Sequence, residues 1–298
     1  MIDIDQIRIN FNPNELHTLN IALAIIMFGI ALDIKLDDFK RLIKKPKIVL
    51  VGILSQFVLL PLLTFILVLI FKPHPSIALG MILVAACPGG NVSNFFSKLA
   101  GANAALSVSL TAFATLLSVI MTPLNFELYG SMYGPTKELL KTIHLDPIRL
   151  ARLVAIILGI PIVLGMLLGH YFPVISSKVS KILKPLSMVF FIVLVVLAFK
   201  NNWDLFLKHI HLVLWLVLIH NFAAFLLGYS TASAFNLQFP DRKTITIETG
   251  IQNSGLGLLL IFGFFQGLGG MALFAAFWGI WHIISGMTLA TYWGRKSK

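Results

Sequence analysis

Nine apolar stretches set the limits on what this chain can become. They lie at 16–32, 48–71, 77–99, 104–126, 148–170, 185–200, 210–234, 244–266 and 271–293. About 20 consecutive apolar residues are what a helix needs to cross the hydrocarbon core of a bilayer. Recurring along the whole length, they predict an all-α polytopic membrane protein with nine transmembrane helices and no soluble domain. Composition agrees: 58% of the 298 residues are hydrophobic and 12% are charged, against about 25% charged in ordinary soluble domains.

The formal net charge of +11 does not point to nucleic acid, because the basic residues sit in short connections between apolar runs. With the N-terminus outside, 15 of the 23 Lys and Arg residues fall on the inner side, as positive-inside topology favours. The expected placement is therefore N-terminus outside and C-terminus cytoplasmic, in an inner or plasma membrane. The polar opening, MIDIDQIRINFNPNELHT, lacks the basic-then-apolar pattern of a cleaved signal. The first span is expected to act as the insertion signal. Cys87 is the single cysteine, which excludes an internal disulfide and a cysteine-based metal site.

Two spans are interrupted. The third carries Cys87-Pro88-Gly89-Gly90-Asn91. The eighth holds Glu248, Thr249, Gln252, Asn253 and Ser254 among Gly250, Gly255 and Gly257. An ionisable side chain at the bilayer centre costs about 2.5–3.5 kcal/mol on insertion scales, and non-helical backbone at that depth survives only against protein or a wet cavity. Each broken span is followed by one more span before its half ends, giving halves of four and five spans. Paired broken helices in corresponding positions predict an inverted-repeat secondary transporter with its site at the repeat interface.

The polar side chains of these spans are oxygen donors suited to a hard cation. Ser93 and Asn94 follow the first break. Ser107 and Thr111, four apart, share a helix face, and Glu248 and Gln252 do the same around the second break. Gln56 lies in the otherwise apolar second span, and unwound backbone at 249–251 adds carbonyls. This predicts one or two cation sites sharing Glu248. The half-helix N-termini near Asn91 and Asn253 are suited to an anionic substrate group.

Cys-Pro-Gly-Gly-Asn-Val-Ser-Asn (87–94), Leu-Ser-Val-Ser-Leu-Thr (106–111) and Glu-Thr-Gly-Ile-Gln-Asn-Ser-Gly (248–255) together resemble the bile acid:sodium symporter family. Ile-Met-Phe-Gly-Ile-Ala-Leu (26–32) and Trp-His-Ile-Ile-Ser-Gly (281–286) extend the likeness over about 16–293. The resemblance implies a panel domain (about 16–34, 148–170 and 185–202) and a core domain (about 48–126 and 210–293). In the core the two broken helices would cross. It implies two sodium ions. One would be held by Ser93, Asn94, Ser107, Thr111 and Glu248, the other by Gln56, Glu248, Gln252 and backbone from Thr249 and Ile251. Asn91 and Asn253 would face the substrate. Asn91 stands where the family commonly has threonine, and Ile283 where it commonly has asparagine.

The competing readings use the same residues. Ser93, Ser107 and Thr111 also suit simple helix-to-helix hydrogen bonds, and Cys87, His220 and His282 suit core packing. A sodium/proton exchanger would need Glu248 to titrate, and its motif holds no second acid. An intramembrane hydrolase built on Ser254 or Ser285 with His282 lacks the Gly-x-Ser-x-Gly context, and no His-Glu-x-x-His motif occurs. The function expected is symport of sodium with a small organic anion, with no enzymatic activity.

Overall fold

The computed structural model describes residues 4–7, 16–32, 34, 46–142, 147–201 and 203–296. Arg8, Lys35, Lys40, Arg41, Lys44, Lys45 and Lys298, all used above for the charge count, lie outside the described residues. Among those described, every regular element is helical, and the one β feature is an isolated antiparallel bridge between Gly89 and Gln252.

The helices are α1 (Leu16–Ala31), α2 (Pro46–Ile53), α3 (Leu60–Phe71), α4 (Pro75–Ala86), α5 (Val92–Leu99), α6 (Ala104–Met132) and α7 (Gly134–Thr142). They continue as α8 (Pro147–Tyr171), α9 (Pro173–Asn201), α10 (Trp203–Ala234), α11 (Phe239–Gly250), α12 (Ser254–Phe264) and α13 (Gly269–Lys296). A π-helical segment, Leu54–Leu59, joins α2 to α3. Prolines open α2, α4, α8 and α9, where the missing N–H has no partner to lose.

Both expected interruptions are present. The third span divides into α4 and α5, and the eighth into α11 and α12. Several boundaries need correction: the seventh span, expected from 210, begins at Trp203, and the eighth, expected from 244, begins at Phe239. The fourth span, expected to end near Pro123, runs on to Met132, and the sixth, expected over 185–200, begins at Pro173. Both prolines sit inside continuous helices, because neighbouring groups can satisfy what an internal proline frees. Beyond Pro123 the chain stays anchored. Asn125 Nδ2 donates to the Phe57 carbonyl at 2.9 Å, and Phe126 meets Phe265 edge-on at 5.1 Å. In α9, Lys178 and Lys181 are exposed, so the apolar window ends there while the helix does not. The connection after the fourth span carries the short helix α7.

The centre of the bundle is α4. Every residue from Ser76 to Ala86 is buried, as expected of a helix apolar all round. It packs against α3, α6 and α13. Helix α10 lies along α11, so closely that a Cβ on Gly228 would stand 2.9 Å from the Thr246 Cα. Helices α1, α8 and α9 pack on one another, with α8 touching α6 and α1 touching α12.

The outer surface is strongly apolar. Leu50, Ile70, Ile120, Trp215 and Phe222 are each more than 60% exposed, a belt that suits lipid rather than water. By length and composition, four helices among the described residues can cross a membrane: Pro46–Phe71, Ala104–Met132, Leu207–Ala234 and Gly269–Arg295. Pro75–Ala86, Leu158–Tyr171 and Ser254–Phe264 are apolar but shorter.

Candidate cation site at the helix crossing

The two breaks cross each other. Pro88 disfavours helical backbone at the residue before it, and Cys87 is extended there (φ −71°, ψ 155°). The second break has no proline; Ile251 is extended at φ −114°, ψ 90°. The unwound strands then pair. Gly90 N–H donates to the Ile251 carbonyl at 3.1 Å, and Asn253 N–H donates to the Pro88 carbonyl at 2.9 Å. Each break thus supplies the hydrogen bonds that the other has lost.

The ends of the broken helices are also tied to their neighbours. Thr122 Oγ1 donates to the Ala86 carbonyl at the end of α4 (2.7 Å). Asn221 Nδ2 donates to the Gly250 carbonyl at the end of α11 (2.8 Å), and Asn221 Oδ1 accepts from Ser285 Oγ at 2.6 Å. These carbonyls would otherwise be left unsatisfied at helix C-termini.

Glu248, on the last turns of α11, is fully buried beside this crossing. Ser93 Oγ and Ser107 Oγ each donate to its Oε1 at 2.5 Å. Thr111 Oγ1 lies 3.1 Å from Oε1 and 3.0 Å from Oε2. Asn94 Oδ1 faces the same hydroxyls, 2.9 Å from Ser107 Oγ and 3.2 Å from Thr111 Oγ1. All five residues of the first predicted set therefore meet. Three hydroxyl protons face three stronger acceptors, Glu248 Oε1, Glu248 Oε2 and Asn94 Oδ1. Ser107 has one proton and two acceptors within reach. No Lys, Arg or His pairs with Glu248 among the described residues. A buried carboxylate without a cationic partner is costly, and a small cation among these oxygens would supply the missing charge. With one carboxylate, and no group of three His, Cys, Asp or Glu side chains among the described residues, the donor set suits a monovalent hard cation.

The second predicted set also borders Glu248. Gln56 and Gln252 are both buried, and the Oε1 atom of each has no hydrogen-bond partner. Gln56 Nε2 and Glu248 Oε2 both border Gly89, and Gln252 Nε2 donates to the Thr249 carbonyl at 2.7 Å. Buried amide oxygens are rarely left unpaired, so two orphans beside one carboxylate fit a cation. The Ile251 carbonyl already accepts from Gly90 and has a second lone pair to offer.

Asn91 is exposed at the start of α5 and makes no side-chain cap. Asn253 is half-buried, and its Oδ1 accepts from Leu256 N–H to cap α12 at 3.0 Å. Ser55 is an addition to the predicted residues: its hydroxyl is hydrogen-bonded to Thr249 Oγ1 at 2.8 Å. The π-helical segment presents Ser55 and Gln56 to the core, and such segments recur at functional sites. Its sequence, LSQFVL, carries no mark of the irregularity. The polar residues Ser55, Thr122 and Asn221, each inside an apolar run, were the available signal.

A lipid-facing helical bundle with crossed helix breaks around one buried carboxylate has the build of a membrane transport protein. The comparisons with known proteins agree. Residues 20–209 match the Sodium Bile acid symporter family. The chain is 35% identical over 280 residues to the uncharacterized sodium-dependent transporter YocS of Bacillus subtilis (strain 168), covering 94% of this chain and 84% of that one. It is 31% identical to the probable sodium/metabolite cotransporter BASS1, chloroplastic, of Arabidopsis thaliana, over 93% of this chain and 67% of that one. It is 30% identical to sodium/bile acid cotransporter 5 of Rattus norvegicus, over 86% of this chain and 58% of that one. The chain belongs to the sodium bile acid symporter family. It is an integral membrane protein of a transporter family, not an enzyme.

Proposed function

We propose that the protein couples the inward movement of sodium to that of a small organic anion by alternating access. The observation that carries this reading is the fully buried Glu248 carboxylate, surrounded by Ser93, Asn94, Ser107 and Thr111 with no basic partner among the described residues. Two sodium ions share that carboxylate. The first takes the hydroxyl and amide oxygens of these residues. The second takes the Gln56 and Gln252 amide oxygens with backbone carbonyls of Thr249 and Ile251. Binding them draws α5, α6, α11 and the Gln56 segment together around the crossing.

The anion then meets the N-terminal ends of α5 and α12 at Asn91 and Asn253, where the helix dipole favours negative charge. Its class is a bile-acid-like, small carboxylate or sulfated monoanion. The names of the relatives, metabolite and bile acid cotransporters, support that range. Nine spans cross a cytoplasmic or plasma membrane with the N-terminus outside. A core (about 48–126 and 210–293) moves against a panel (about 16–34, 148–170 and 185–202). The mutual packing of α1, α8 and α9 supports the panel.

The test is thermal unfolding of the purified protein in sodium or potassium chloride of equal strength, across a panel of organic anions. A ligand at 100 times its dissociation constant stabilises by about 2.7 kcal/mol. An anion that stabilises more in sodium than in potassium, and is taken up by proteoliposomes only with a sodium gradient, is the expected result. Equal stabilisation in both salts, or sodium movement driven by a pH gradient with no anion present, would overturn it.

A further inference from the structure

A second, partly buried polar cluster lies one to two helical turns from the cation site, where α5 gives way to α6 beside the start of α11. Asn103 is its hub. Its Oδ1 accepts from Leu106 N–H at 3.1 Å and caps α6. Its Nδ2 donates to Asp241 Oδ1 at 2.8 Å, and its backbone N–H donates to Thr244 Oγ1 at 3.0 Å. Lys243 Nζ donates to the Ala100 carbonyl at 2.9 Å and stands 4.8 Å from the centre of the Phe239 ring. Asp241 and Lys243 are 5% and 2% exposed. Burying ionisable groups carries a penalty of several kcal/mol per ion, so two of them are an unusual way to fasten a connection.

All five oxygen ligands of the first cation site ride on the three helices that meet here. Ser93 and Asn94 are on α5, which ends just before Ala100. Ser107 is one turn beyond Asn103, and its N–H donates to the Asn103 carbonyl at 3.0 Å. Glu248 is one turn beyond Thr244 and two beyond Asp241. At about 1.5 Å of rise per residue, the junction lies roughly 6–12 Å along the helices from the ligands, too far to touch a cation. Over so short a length helices are stiff, so the angles fixed at the junction set the spacing of the ligands.

We propose that Asn103, Asp241 and Lys243 are positioning residues that hold α5, α6 and α11 at the separation the cation site requires. The inference rests on the sodium-symport reading of that site. Ligand-supporting contacts of this kind typically change metal affinity by about 10–100-fold when removed.

The experiment titrates sodium against the thermal unfolding of the purified full chain, with choline chloride holding ionic strength constant. Asn103→Asp keeps the α6 cap but sets a carboxylate against Asp241. It is expected to raise the half-saturating sodium concentration by about tenfold or more. The double variant N103D/D241N restores a donor–acceptor pair with the roles exchanged and is expected to recover most of the affinity. A merely structural junction would lower the sodium-free melting temperature and leave the half-saturating concentration alone. That result, or no recovery in N103D/D241N, would overturn the inference. Should Asn103→Asp not fold, Lys243→Met gives the same reading: a raised half-saturating concentration supports the proposal and an unchanged one overturns it. A parent protein with no response to sodium would overturn both this inference and the symport reading. A responsive parent with equally responsive variants would overturn this inference alone.

Discussion

Glu248 is the residue on which the others converge, and its neighbours have separable roles. Ser107 donates to it directly while also reaching Asn94. Ser107→Ala removes one oxygen from the proposed cation shell and one bond to a charged acceptor, an interaction worth about 1.5–3 kcal/mol. The expected effect is at least about a tenfold rise in half-saturating sodium, read from melting temperatures across a sodium titration. Gly89 matters for a different reason. A Cβ there would stand 2.8 Å from Glu248 Oε2 and 3.3 Å from its backbone carbonyl. Gly89→Ala must therefore displace the carboxylate or part the crossing, and sodium stabilisation is expected to disappear. Gly257→Ala is the matched control, because its added methyl would meet only Cys87 Sγ at 3.8 Å and Val84 at 3.9 Å. It is expected to leave the sodium response intact.

At the scale of elements, the breaks persist because other helices supply the missing hydrogen bonds. Thr122 reaches the end of α4, and Asn221 the end of α11. Thr122→Val keeps the shape and orphans the Ala86 carbonyl, at a cost of about 1–3 kcal/mol. The expected outcome is a lower melting temperature with and without sodium, measured in parallel with the parent. What the sequence made legible follows the same division. The apolar runs located the spans, and Pro88 marked the first break because its effect on Cys87 is local. The second break has no such residue. It was visible only as a density of polar groups, and its backbone is held by pairing with 88–90. The π-helical segment was not visible, since nothing local in Leu54–Leu59 marks it; its Phe57 carbonyl accepts from Asn125, 68 residues away. Pro123 and Pro185 misled for the converse reason: proline ends helices in water more readily than in a bundle that re-satisfies its neighbours. Of the site, residue type and helical spacing made the polar candidates of the broken spans legible, while their grouping around a first ion came from the family resemblance; the five residues of that group meet. Ser55 and Asn221 were missed because a lone polar residue in an apolar run does not say which break it serves.

For the whole molecule, the account requires that sodium organise a cluster built from distant parts of the chain. Linkage then makes the effect reciprocal: an anion that binds more tightly with sodium must tighten sodium by the same factor. Gln56→Ala removes an unpartnered amide oxygen from the second set alone and is expected to reduce sodium binding from two ions to one while sparing the first site. The most direct test is equilibrium binding of radioactive sodium to the purified protein, comparing the parent with Glu248→Gln. That substitution preserves the shape of the side chain and removes its charge. Saturable binding by the parent and none by the variant at the same sodium concentration is the expected result. Undiminished binding to Glu248→Gln would contradict it.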